Sequence, residues 1–288
     1  MAPIEYEPFR DAKEFSDLMF NLFKLYNKEY HEAMHTFSFL QRTKDVKVVC
    51  KDTTSEKVKF VIPAGLENAI QNCEMINSPE SNNSAISAPT NGSWASWTSI
   101  AIGYALREAG ASGAFRGERV FGGPLLGVLC RGLVDKSCRR VIFGYQLFQH
   151  SPKHWVLTIQ DHTPLEPEEM DDKDYLRHIE ILAITAIFYE QMNKLDYVRE
   201  KNKYLPILTY QDGLLTATVV TFATGKVRVV QASCDPSQEY PELNIALRAV
   251  HDLKMSCYNK AVLHEIVKWI LCPPDPPREL PLRISRKA

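Results

Sequence analysis

Gln160, Asp161 and His162 are the first candidates for chemistry in this sequence, because they form a polar group at the end of an apolar run. Carboxylate and carbonyl oxygens are the ligands that Mg²⁺ prefers, and an imidazole beside a cation can orient a water molecule. In a strand, Gln160 and His162 would share one face and Asp161 would lie on the other. Asp161 is then a lone carboxylate, which by itself makes a weak Mg²⁺ site.

The elements that would position these residues are a hairpin and a helix. Apolar and polar residues alternate on both sides of Ser151-Pro152-Lys153, which predicts two antiparallel strands over residues 139–161. After an acidic stretch, the run at 175–195 is apolar over much of its circumference, as is typical of a helix packed on a sheet. The polar group is therefore expected where a strand leaves a sheet.

This hairpin and helix resemble the PD-(D/E)XK nuclease-like proteins, particularly divergent members from filamentous fungi. The resemblance covers roughly residues 117–255 and includes the later segment LPILTYQDGLL. In that family an acid near one strand, and an acid and a lysine two positions apart on the next, hold a divalent ion that activates water against a phosphodiester. The resemblance implies a restriction-endonuclease-like core.

At the positions that match the family's motif, this chain departs from it. Gly144 falls near the place of the first acid, and Gln160-Asp161-His162 falls where the acid-x-lysine should be. For a cleaving protein the resemblance implies Asp161 as metal ligand, Gln160 as auxiliary oxygen ligand and His162 as the group that orients water. Gln160 carries no charge, and histidine is largely neutral near pH 7, unlike lysine. A catalytically impaired member is therefore the favoured interpretation, with no cofactor required and Mg²⁺ as an option at Asp161.

Phosphate binding has four candidates, in the glycine-rich stretch before the hairpin and at its start: Arg116, Arg119, Arg139 and Arg140. Arginine grips phosphate oxygens in a bidentate manner. The formal net charge of the whole chain is -1, so binding to nucleic acid would need such a local basic patch. Nucleic acid or another protein is the expected partner, and the oligomeric state stays open.

Two alternatives come from other functional classes. One is a non-enzymatic interaction or regulatory protein that recruits a partner through its helical N-terminal region and its ends. The other is a small-molecule enzyme of a biosynthetic pathway, with an apolar pocket lined by Trp94, Trp97 and Trp155.

Other polar side chains are not assigned to a site. His150 and His154 lie beside the hairpin turn, too far from Asp161 to share a metal with it, and are expected to be surface residues. The acidic run at 166–174 is interpreted as a solvated loop, with Asp174 as a helix cap. Glu180 and Glu190 on the long helix are expected at an exposed edge.

The chain is predicted to be an α/β protein with a mixed sheet flanked by helices. The division into regions is 1–76, a helical and strand-containing part; 77–93, a flexible linker; 94–272, the nuclease-like domain; and 273–288, a proline-rich tail. Helices are expected over 11–40, from Pro63, over 97–108, from Pro241 and near 261–271, and strands at 46–49 and 58–62. The turn of a second hairpin is placed at Thr224-Gly225.

The sequence contains no secretory signal and no apolar run long enough to span a membrane, so a cytoplasmic or nuclear location without membrane attachment is expected. The seven cysteines include no CxxC pair, which favours reduced thiols. A Rossmann fold is disfavoured because no strand leads into a GxGxxG turn.

Overall fold

The structure is a computed structural model that describes residues 6–28, 33–63, 65–73, 91–108, 117–118, 123–131, 133–135, 140–163, 173–223, 226–252 and 259–276. The helices are α1 Ala12–Lys28, α2 Phe37–Leu40, α3 Leu66–Gln71, α4 Asn91–Glu108, α5 Leu126–Arg131, α6 His178–Met192 and α7 Lys260–Leu271, with a 3-10 turn at Arg199–Lys201. The strands are β1 Met34–Thr36, β2 Lys47–Asp52, β3 Gly117–Glu118, β4 Leu133–Asp135, β5 Arg140–Ser151, β6 His154–Asp161, β7 Tyr175–Arg177, β8 Asn193–Val198, β9 Lys203–Leu208, β10 Leu215–Ala223, β11 Lys226–Cys234 and β12 Glu242–Asp252.

An eight-stranded mixed sheet forms the centre, in the order β2-β12-β11-β10-β6-β5-β3, with β4 also paired to β5. The pairs β6–β10 and β2–β12 are parallel, and the other pairs are antiparallel. The parallel pair β6–β10 is joined through α6, as such crossover connections require. The predicted α/β class, a mixed sheet flanked by helices, is confirmed.

The two faces of the sheet bury separate apolar clusters. On β6, Leu157 and Ile159 belong to one cluster and Val156 to the other, as strand alternation demands. The first cluster also contains α1 and α6, and it is called the α6 face below. The second contains α3, α4 and α7, and it is called the α7 face.

Helix α6 accounts for much of the first cluster. Of its fifteen residues, all but Glu190 and Gln191 are buried. A helix that is apolar all round must be covered on all sides, and α6 is covered by the sheet on one side and by α1 on the other.

Local predictions were right where the residue pattern was unambiguous. The hairpin β5–β6, the helix α7 and the hairpin strands β10 and β11 occupy the predicted positions, and the turn at 224–225 lies outside the described residues. Helix α4 begins at Asn91, before the predicted start and inside the expected linker, and α6 spans His178–Met192 within the predicted run at 175–195. The helix expected over 11–40 was wrong in its second half, because α1 ends at Lys28 and β1 pairs with β7. Residues 58–62 lie in no strand.

The helix predicted from Pro241 was also wrong. Residues 242–252 form β12, in which Leu243, Ile245 and Leu247 are buried while the residues between them are partly exposed. A spacing of four between Leu243 and Leu247 fits both a helix and a strand, and pairing with β11 and β2 on either side decides for the strand.

The predicted N-terminal region shares its core with the rest of the chain. Strand β2 pairs with β12, and the α1 residues Phe15 and Met19 are fully buried in the cluster that contains α6. The boundary proposed at 76/77 and most of the linker fall outside the described residues, as do the tail residues 277–288.

None of the helices in the described part of the chain is long and apolar enough to cross a bilayer. The five described cysteines, Cys50, Cys73, Cys130, Cys234 and Cys272, are free thiols, as expected.

Candidate functional site

Asp161 lies in a buried ion pair at the end of β6. Its Oδ2 accepts a hydrogen bond from Arg177 Nε at 2.7 Å, and the two side chains are 0% and 3% exposed. Its Oδ1 accepts from the Thr163 backbone N–H at 2.8 Å. Burial alone would raise the pKa of Asp161, but the Arg177 guanidinium and the hydrogen bonds from Thr163 outweigh it and hold the pKa below the usual value.

A second buried ion pair continues this cluster. Glu180 Oε2 accepts from the Arg177 backbone N–H at 2.8 Å, and Glu180 Oε1 accepts from Arg228 Nε at 3.0 Å. Arg228 Nη2 donates to the Tyr175 carbonyl at 2.8 Å, and its guanidinium lies over the Tyr175 ring. Together Asp161, Arg177, Glu180 and Arg228 are called the buried charge cluster below. It ties β6, the start of α6 and β11 together on the α6 face.

The residues at the predicted metal position do not fit a divalent cation. Both oxygens of Asp161 already accept hydrogen bonds, and a cation there would meet the positive charge of Arg177. Gln160 projects to the opposite, α7 face of the sheet by strand alternation. His162 follows the end of β6 and is partly exposed, and Gly144 is paired with Ile159. The structure therefore does not bring Gln160, Asp161 and His162 together around one ion.

No larger ligand set replaces them in the part of the chain that the structure describes. There, no group of three or more histidine, cysteine, aspartate or glutamate side chains is placed to hold a metal.

The chain was compared with protein-family models, with curated proteins and with solved structures. None of them matches.

The phosphate-binding prediction falls almost wholly outside the described residues. Arg116, Arg119 and Arg139 are not among them, and Arg140 is described only as the first residue of β5. The acidic residues 166–172 are likewise outside. Asp174 does not cap a helix, because β7 separates it from α6; instead its carbonyl accepts from the Phe37 N–H at 2.7 Å.

The tryptophan pocket is not assembled as predicted. Trp97 packs against the cluster on the α7 face and Trp155 against the cluster on the α6 face, so these two rings lie on opposite sides of the sheet. The side chain of Trp94 is outside the described part.

Exposed apolar side chains on the hairpin β8–β9 are relevant to the interaction-protein alternative. The hairpin β8–β9 forms a separate two-stranded sheet whose outward side chains include several large apolar residues. Exposed among them are Leu195, Tyr197, Tyr204, Ile207 and Leu208.

Glu180 and Glu190 were both expected at an exposed edge, but Glu180 is fully buried in the buried charge cluster and Glu190 lies half-buried beneath the start of α5. Glu190 Oε1 accepts from the Leu125 N–H at 3.1 Å. Burial raises the pKa of Glu190 to about 7, against the opposing effect of hydrogen bonds from the Leu125 and Leu126 backbone. Gly123 touches this carboxyl group and has a φ of 92°, so a side chain there would both clash with Glu190 and strain the backbone.

His150 and His154 form a polar cluster at the turn end of the hairpin, on the α7 face. Their ring centroids are 6.2 Å apart. His154 Nε2 lies 3.1 Å from Thr218 Oγ1, and His150 Nε2 lies 2.8 Å from the Ile270 carbonyl. As predicted, they lie at the opposite end of β6 from Asp161, but His154 is buried and His150 is half-buried, so the expectation of surface residues was wrong. Burial lowers the pKa of His154 to about 4, with a further lowering from His150 and an opposing effect of Asp275.

This shift predicts a loss of stability in mild acid. Between about pH 6.5 and pH 4 the unfolded chain binds a proton at His154 and the folded protein does not, so the contribution present above pH 6.5 is lost as the pH falls. The loss should reach about 3 kcal/mol by pH 4. Urea unfolding at several pH values should show a shallower acid slope for His154→Gln than for the unmodified protein. His162→Gln is the control, and equal slopes for both variants would contradict the assignment.

Sequence reasoning missed Arg177 and Arg228 as members of the buried charge cluster. A signal was present for Arg228, because it interrupts the apolar run KVRVV of a predicted strand. An arginine at such a position needs a buried anion. The identity of that anion, Glu180, could not be read from the sequence.

Proposed function

We propose that this protein is a PD-(D/E)XK nuclease-like domain that does not cleave phosphodiesters and acts by binding nucleic acid or a phosphate-bearing ligand. The order of hairpin, long helix and parallel strand in β5, β6, α6 and β10 supports the scaffold part of this proposal. The chain offers one carboxylate at the position where the family holds its cation.

The observation that carries the proposal is the ion pair between Asp161 and Arg177. In a cleaving enzyme this carboxylate must present its oxygens to a cation and to solvent water. Here the carboxylate is fully buried, and its negative charge is neutralised by an arginine from β7. This arrangement serves to hold the sheet to α6.

The proposal predicts no metal-dependent cleavage. Duplex DNA and single-stranded RNA, incubated with the protein and Mg²⁺ or Mn²⁺, should be degraded no faster than with Asp161→Asn. Neither ion should raise the melting temperature through this site, because a ligand stabilises a protein only where it binds the folded state. Asp196→Asn, a change at an exposed aspartate, is the matched control.

Cleavage that needs the metal, survives in Asp196→Asn and is lost in a folded Asp161→Asn protein would overturn the proposal. Nucleic-acid binding is measured separately, by fluorescence anisotropy at two salt concentrations. Affinity that falls steeply with salt is expected for contacts to phosphates.

A further inference from the structure

A cavity of about 610 Å³ lies on the α7 face of the molecule, between β12, the segment after β2 and one side of α7 from Ala261 to Lys268. Its charged lining is predominantly cationic, since four lysine or arginine side chains face two glutamates. The cations are Lys57, Lys173, Arg248 and Lys268, and the acids are Glu56 and Glu265. A concave site with an excess of positive charge favours an anionic ligand.

The backbone at Arg248 explains why this cavity exists. In the β11–β12 ladder, Val229 is paired with Ala249 and Val230 with Leu247, so Arg248 is an extra residue in a β-bulge. Pairing with β2 ends at Leu247, where the Thr53 N–H donates to the Leu247 carbonyl at 2.9 Å. From Arg248 onward β12 therefore lacks its β2 neighbour, and the cavity occupies that space. Bulges commonly redirect a side chain next to a binding site.

The Arg248 guanidinium has partners for one of its nitrogens but leaves a buried N–H without a hydrogen bond to any described residue. Its side chain is only 9% exposed, yet it lines the cavity. Nη1 donates to Thr53 Oγ1 at 3.3 Å and lies 3.7 Å from the Glu56 carboxylate, which is largely exposed. Within the described part of the chain, Arg248 Nε is buried without a hydrogen-bond partner. Leaving such a donor unsatisfied is costly, and an anion in the cavity would remove that cost if a shift of the side chain brought Nε to one of its oxygens.

The rest of the cavity suits a ligand with a charged and an apolar part. Residues from the first to the last turn of α7, namely Ala261, Glu265 and Lys268, form one wall of it. Val58 and Phe60 form an apolar wall, and the Phe60 ring packs edge-on against Trp269 at 5.2 Å.

We propose that this cavity binds a phosphorylated small molecule, with its phosphate at Arg248 and its apolar or ring portion along Val58 and Phe60. The planar guanidinium group can donate two parallel hydrogen bonds to two phosphate oxygens. Lys57 and Lys268 supply further positive charge at the rim of the cavity. The site is distinct from the end of β6 and does not depend on whether the scaffold is nuclease-like.

The test uses inorganic phosphate, pyrophosphate and adenosine monophosphate as probes on the full chain. Millimolar pyrophosphate or adenosine monophosphate should raise the melting temperature and give a saturable heat in titration calorimetry. Arg248→Met should weaken this binding by about tenfold to a hundredfold, the loss expected for a charge-assisted hydrogen bond. Arg248→Lys keeps the positive charge but cannot donate two parallel hydrogen bonds, so it should give an intermediate loss of affinity.

Arg199→Met removes an exposed arginine that does not line the cavity and should leave binding unchanged. If Arg248→Met does not fold, the rim variant Lys57→Met with Lys268→Met is measured in its place and should weaken binding by at least severalfold. Absence of binding by all three probes, or binding that neither the Arg248 variants nor the rim variant weaken, would overturn the proposal. Binding of a short DNA duplex but of none of the three probes would overturn the small-molecule assignment.

Discussion

Asp161→Asn is expected to lower the free energy of unfolding by about 3–5 kcal/mol, because it leaves the Arg177 guanidinium buried without its anion. Asparagine keeps an oxygen for the Thr163 N–H, so the loss measures mainly the missing charge. Arginine cannot escape the penalty by giving up its proton. Urea denaturation at neutral pH measures the effect directly.

The control for this prediction is Asp196→Asn, at an exposed aspartate, which should change stability by less than about 0.5 kcal/mol. The double variant Asp161→Leu with Arg177→Met should recover much of the loss, because a buried pair replaced as a whole leaves no uncompensated ion. If Asp161→Asn were no more destabilised than Asp196→Asn, the ion pair would not exist in solution.

Glu180→Gln is expected to have a comparable effect, about 3–5 kcal/mol. The Glu180 carboxylate accepts from Arg228 Nε and from the backbone N–H of Arg177. A glutamine can serve only one of them with its carbonyl and turns its own donors towards the other. The loss should change little between pH 5 and pH 8, because arginine stays charged throughout.

Arg228→Met removes the cation of the same pair and should also be strongly destabilising, because it leaves the Glu180 carboxylate buried without its partner. Glu200→Gln, at an exposed glutamate, is the control. A loss in either cluster variant no larger than that of Glu200→Gln would contradict the ion pair between Glu180 and Arg228.

These expected effects change the role assigned to Asp161 from metal ligand to structural anchor. From its position after an apolar strand, the residue was predicted to hold a metal ion. In the folded chain it anchors α6 to the sheet through Arg177, which comes from the short strand β7 just before the helix. Loss of activity in an Asp161 variant would therefore have to be separated from loss of fold before it was interpreted as chemistry.

Deleting the N-terminal region is not a suitable test of the interaction-protein alternative. Removing residues 1–90 would delete β2 from the sheet and α1 from the core cluster around α6. A changed partner list after such a truncation would report unfolding. Point changes on the exposed side of the hairpin β8–β9, for example Tyr204→Ser, examine the interaction alternative without removing core residues.

The sequence by itself determined the elements whose pattern extends over many residues. Alternation over 139–161 specified β5 and β6, and a run that is apolar over much of its circumference specified α6 as a helix packed on the sheet. These signals are local, because the period of the side chains follows directly from the geometry of the backbone. The same alternation correctly placed Gln160 and Asp161 on opposite faces of the sheet.

Only the tertiary structure decided which ion pairs and strand pairings form between those elements. Arg177, sixteen residues after Asp161, and Arg228, forty-eight after Glu180, reach their partners because α6 crosses over the sheet between parallel strands. The strand character of β12 depends on β2, nearly two hundred residues earlier, and the bulge at Arg248 depends on its register with β11. Neither ion pairing nor register leaves a periodic trace in the sequence, because both are set by contacts between distant segments.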